Sequence, residues 1–166
     1  MRVICPCTRI APATRAALNA SGYPWTEAEV TGDAGYWMLL ASLWRQGEAF
    51  AIVEHDVIPA AGALASFEAC DADWCSCPYP YLAGTYAGLG CARFRAAVMA
   101  RHPDLMDVVA GMSNDSHPPM HWCTLDAWIR VVLIQRGERQ CTAHPEAGHP
   151  STSPAHGCVP GYPPRA

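Results

Sequence analysis

The sequence has no apolar run long enough to cross a bilayer and no basic, apolar leader; Met1-Arg2-Val3-Ile4-Cys5-Pro6 passes directly into a strand-like stretch. A cytoplasmic protein without a membrane span is expected. There is no GxGxxG fingerprint and no P-loop, which argues against dinucleotide and ATP chemistry, and no GxSxG elbow, which argues against a serine hydrolase. Charge is also sparse, at 16% of residues with a formal net charge of −4 and the two signs intermixed. No basic face is left to neutralise a phosphate backbone, so strong non-specific nucleic-acid binding is not expected. CxxC pairs are missing, although nine cysteines are present, at positions 5, 7, 70, 75, 77, 91, 123, 141 and 158. An odd count in an intracellular chain does not make a secreted disulfide framework. The simplest reading is buried free thiols acting as small apolar side chains, with Cys70 and Cys75 close enough to oxidise. The metal alternative is a four-thiolate zinc site from Cys70, Cys75 and Cys77 with Cys5 or Cys7. On the first reading, protein purified without added metal carries little zinc.

What is present suits one compact domain: 166 residues, 51% hydrophobic. Residues 1–150 are expected to form it, and the proline- and glycine-rich stretch 151–166 to be a tail. Arg2 to Cys7 reads as a strand and Ala13 to Ala20 as a helix ended by Ser21-Gly22. Tyr23-Pro24-Trp25 reads as an aromatic turn. Positions 36, 37, 40, 43 and 44 recur at helical spacing before Gly47, and Trp122, Leu125, Trp128, Ile129, Val132 and Leu133 do so before Gly137. Strands are expected at Trp74 to Pro78, Gly88 to Phe94 and Arg139 to His144, with Tyr79 to Tyr86 as an irregular loop. The order β-α-α-β-α-β-β-α-α-β predicts an α/β fold, a three-layer α/β/α sandwich with a mainly parallel central sheet.

The organising stretch is Ala49-Phe50-Ala51-Ile52-Val53-Glu54-His55-Asp56-Val57. A short apolar run suits the interior strand of a parallel sheet, and ligands in such sheets bind beyond the strands' carboxyl ends. Alternation along an extended chain would put Glu54 and Asp56 on one side and His55 on the other, so that two carboxylates face one divalent ion.

Four features then coincide: Glu54-x-Asp56 after a strand, Gly88-x-Gly90 entering another, His121-Trp122 leading to Leu125-Asp126 on a helix, and His144 with His149 near the end. Together they resemble a small, minimal GT-A glycosyltransferase over roughly residues 2–150. In that family an acidic motif, usually Asp-x-Asp, holds a divalent metal that bridges the diphosphate of a nucleotide sugar; here Glu takes the first place. The resemblance implies Mn²⁺ or Mg²⁺ held by Asp56 with His149, and His144 as second choice. It implies a nucleotide-diphosphate sugar donor near Glu54, Thr8, Gly88 and Gly90. It also implies Asp126, at a helix start, as the base in transfer to an acceptor that could be a glycan, a protein, a small molecule or a modified nucleobase. Two other functions fit the same residues: a metal-dependent hydrolase or nucleotidyltransferase at the acidic site, and a non-catalytic, zinc-stabilised interaction protein built on the cysteines.

Overall fold

The structure, a computed structural model, describes residues 1–81, 84–114 and 117–149; the tail expected over 151–166 lies outside them. Strand β1 (Arg2–Cys7) buries every residue after Arg2, as a strand covered on both faces must. Helix α1 (Pro12–Ala20) opens on proline, whose missing N–H is harmless there. After β2 (Trp25–Glu29), helix α2 (Gly35–Gln46) stops at Gly47, whose φ of 69° is the left-handed cap expected from the sequence. Next come β3 (Phe50–Val53), α3 (Ala63–Ala69), β4 (Trp74–Ser76), β5 (Tyr79–Tyr81), β6 (Gly84–Tyr86) and β7 (Cys91–Phe94). Helices α4 (Ala96–Arg101), α5 (Leu105–Ala110) and α6 (Trp122–Gln135) precede a last short strand, β8 (Gln140–Cys141).

The main sheet has the order β2-β1-β3-β7-β4-β8. Pairings are parallel except on the two sides of β7, which runs against both β3 and β4. The carboxyl ends of the other strands therefore share one edge with the amino end of β7. Side chains alternate between two apolar clusters. Ile4, Phe50, Ile52, Trp74 and Phe94 pack with α2, α4, α5 and α6, whereas Val3, Cys5, Ala51, Val53 and Cys75 pack with Leu18 of α1 and Leu64 and Phe67 of α3. The result is a mixed α/β fold around a mostly parallel six-stranded sheet. No described helix is long and apolar enough to cross a membrane.

Four features differ from the sequence expectation. Trp25–Glu29 pairs with β1 although none of its residues is fully buried, so its pattern lacks the apolar alternation that marks a strand. Tyr79 to Tyr86 is a small antiparallel hairpin, with Tyr79 opposite Tyr86. Leu105–Ala110 is helical, and β8 is two residues long instead of six.

Candidate active site at the carboxyl edge of the sheet

The chain leaves β1 toward β2 on one side and later returns to β3 on the other. The connecting segments part at that point, beyond the ends of β1 and β3, where ligands of α/β sheets bind. Glu54-His55-Asp56 follows β3 there, and Thr8 stands exposed at the end of β1. The triplet is tied to both neighbours: Ala11 N–H donates to His55 O and Glu54 N–H to Gly90 O, each at 2.8 Å.

Extended geometry ends at Val53, because Val57 N–H donates back to Glu54 O at 3.1 Å and the chain turns. The alternation expected for Glu54 and Asp56 is therefore lost, and the two carboxylates find different partners. Tyr36, at the start of α2, donates its hydroxyl to Glu54 Oε1 at 3.0 Å. Asp56 Oδ2 lies 3.6 Å from His149 Nε2, and its other oxygen 3.9 Å from His55 Nδ1. His149 reaches this position on a backbone clasp. Ile58 and Gly148 exchange N–H···O bonds of 2.7 and 2.8 Å, and Ala147 N–H donates to Pro78 O at 2.8 Å. The His149 ring stacks on Tyr79, with centroids 5.4 Å apart and planes 21° from parallel.

Helix α6 supplies Asp126. Tyr86 donates its hydroxyl to Asp126 Oδ2 at 2.8 Å, and Ala127 N–H donates to Oδ1 at 2.7 Å. The helix starts at Trp122 and its first turn holds no acid, so the helix-start position expected for Asp126 is corrected to one turn further in. Consistent with that, its proton affinity is raised: burial outweighs the bonds from Tyr86 and Ala127 that favour the anion. Glu54 is pushed up to about 8, by burial first and then by the charges of Asp126 and Asp56. Burial, with the same carboxylates, also holds Tyr36, Tyr79 and Tyr86 above the ordinary phenol value, so all three remain donors.

Gly88 and Gly90, expected among the donor-binding residues, are glycine for a reason internal to the protein. A Cβ on Gly88 would stand 2.5 Å from Asp126 Oδ2 and against the Tyr86 ring, and one on Gly90 would stand 2.8 Å from Tyr79 Cε1 and 2.9 Å from Val57 Cγ2. The site's own side chains fill the space. His144 is a correction: the pairing of β8 with β4 carries it beside α3, where it touches Ser66 and Phe67 and joins Cys70, Cys75 and Cys141, instead of standing as a second choice to His149. Tyr36, Tyr79 and Tyr86 were not foreseen as partners of the acids. Tyr36 looked like one more apolar position of its helix, and only its place right after the glycine-rich loop 31–35 hinted otherwise.

The raised Glu54 gives a pH prediction. The folded protein keeps the proton that the unfolded chain loses near 4.5, so folding stability is highest below 4.5, declines as pH rises to about 8, and is level above. Asp126, Asp56, Tyr36 and Tyr79 face this group, and the raised Asp126 acts in the same direction. Glu54→Gln removes the contribution. The stability difference between variant and parent is expected to grow in the variant's favour by up to about 1.4 kcal/mol per pH unit across that window, the limit for one proton. Denaturant melts at several pH values measure it, and parallel curves would mean that Glu54 titrates normally.

No family model matches the sequence, and no curated protein matches it. Solved structures share the fold. One is the crystal structure of a glycosyltransferase involved in the glycosylation of the major capsid of PBCV-1, 13% identical, with a TM-score of 0.57 over 93% of this chain and 96% of that one. Another is the crystal structure of A197 from STIV, 10% identical, with a TM-score of 0.54 over 89% of this chain and 80% of that one. The likeness spans most of this chain and shows that it shares the fold of these two proteins.

Proposed function

We propose that the protein is a divalent-metal-dependent glycosyltransferase on a three-layer, GT-A-like α/β/α fold, moving a sugar from a nucleotide-diphosphate sugar to an acceptor hydroxyl. The observation that carries this reading is the meeting of Glu54, Asp56, Asp126 and His149 at the carboxyl edge of a sheet whose fold a glycosyltransferase shares.

The residues fit a hard divalent ion. Burial first, and then the charges of Asp126 and Asp56, keep a proton on Glu54 up to about 8, and a cation would relieve the repulsive part. Mg²⁺ and Mn²⁺ are typically held by one or two carboxylates, with substrate phosphates and waters completing the shell. Asp56 and His149 offer a carboxylate and an imidazole from one place, and they would hold the ion. Bound there, it supplies neutralising charge for the diphosphate that departs from the sugar. Thr8, at the end of β1, is positioned for the nucleotide part of the donor. Asp126 takes the proton from the acceptor hydroxyl. Its raised proton affinity brings it nearer to working pH, the condition for an effective base, and Tyr86 and the Ala127 amide fix its orientation on a rigid helix.

The test is calorimetry with a nucleoside diphosphate, with and without Mn²⁺. Asp56 lies in the turn after β3 and fills no core, so Asp56→Ala is expected to fold normally and lose at least about tenfold of the Mn²⁺-dependent affinity. Unchanged affinity would remove Asp56 from the metal shell. Turnover that releases free sugar with every acceptor tried would turn the reading toward a hydrolase.

A further inference from the structure

We infer that Cys70, Cys75, Cys141 and His144 form a structural zinc site, separate from the acidic site, that fastens the end of the described chain to the sheet. Of the nine cysteines, seven have described side chains, all as free thiols. They sort into groups that the spacing did not suggest. Cys5 neighbours Cys7 and Cys77 neighbours Cys91. Cys70 and Cys75 are instead joined by Cys141 and His144, with one ligand atom from each within 4.8 Å of all the others. A tetrahedral site with bonds of about 2.3 Å has edges of about 3.8 Å, so closing on zinc shortens the separations by at most about 1 Å, roughly 0.6 Å of inward movement per ligand.

The histidine is prepared for this role. Ser66 gives its only hydroxyl proton to Ala63 O at 2.7 Å, so at 2.9 Å from His144 Nδ1 it must accept, and Nδ1 carries the ring's proton. Nε2 is then the lone-pair nitrogen, buried and without a hydrogen bond among the described residues. Ligating imidazoles are oriented in this way, their second nitrogen held by a neighbouring acceptor.

Arg93 is the second, independent observation. It is 4% exposed and lies directly across the sheet from Cys75. Its guanidinium donates to Cys75 Sγ at 3.0 Å and to the carbonyls of Cys70 and Ala72, and no described carboxylate pairs with it. A buried cation needs an anion. Three thiolates and a neutral imidazole around Zn²⁺ carry one net negative charge, which matches it.

The experiment uses the full chain expressed in zinc-supplemented medium. Metal analysis is expected to find one zinc per chain, and exchange with Co²⁺ to give thiolate-to-metal charge-transfer absorption with the intense visible bands of a tetrahedral site. Cys141→Ser and His144→Ala should each lose the metal, while Cys77→Ala keeps it. Zinc well below one per chain together with a Co²⁺ spectrum lacking thiolate bands would overturn the inference, as would a Cys70–Cys75 disulfide in freshly purified protein. Because the wild-type Co²⁺ spectrum needs no variant to fold and no sugar transfer, the result stands apart from the fate of the glycosyltransferase reading.

Discussion

Asp126→Asn is expected to bind the donor as the parent does and to transfer sugar about 10²–10⁴-fold more slowly, the usual worth of a positioned general base. The substitution is nearly isosteric. The Ala127 amide keeps its acceptor, and the Tyr86 hydroxyl can rotate to accept from the new amide instead of donating to Oδ2. Packing of Leu125 and Ile129, which anchor the helix on either side, is untouched. The loss should therefore fall on kcat, with the donor KM within a few-fold of the parent. The parent's acid limb, set by a carboxylate titrating above its ordinary value, should disappear from the pH–rate profile of the variant. A normal transfer rate would make Asp126 a structural residue and shift the search to Glu54, the other acid whose proton affinity is raised.

Gly88→Ala should be nearly as damaging, although the residue carries no chemistry. The added methyl meets Asp126 Oδ2 at 2.5 Å, closer than real Cβ contacts come, and also runs into the Tyr86 ring. Either the carboxylate or the hairpin must move by something like 1 Å. Displacement of that size at a catalytic group costs about 10²-fold in rate, and overpacking typically costs about 1–3 kcal/mol in stability. Gly84→Ala, in the hairpin just before Gly88 but with no atom near the added methyl, is the control and should change neither. If the two variants behaved alike, the close packing of Gly88 on Asp126 would have no functional meaning.

The sequence showed the elements whose burial is periodic or complete. The strands at Arg2–Cys7 and Phe50–Val53, the helices around Leu40 and Leu133, and the carboxyl-edge position of Glu54-His55-Asp56 all follow from apolar pattern and terminator residues. What it hid was decided by partners distant in sequence. Trp25–Glu29 is a strand only because β1 offers it a ladder. The separation of Glu54 from Asp56 depends on a turn closed by Val57, and the placing of His149 on a clasp between Ile58 and Gly148. The cysteine cluster was illegible for the same reason, because Cys75 and Cys141 meet only through the pairing of the shortest strand.

That late pairing has a consequence for how the protein comes into being. Strand β4 receives β7 soon after both are synthesised, but its other edge stays open until residues 140–141 have left the ribosome. Pairings between segments so far apart form slowly, and an open strand edge is a place where chains stick to one another. The acidic site draws on positions 54, 126 and 149, so it is assembled no sooner. A nascent or truncated chain can thus own most of the core before its acidic residues and His149 have met.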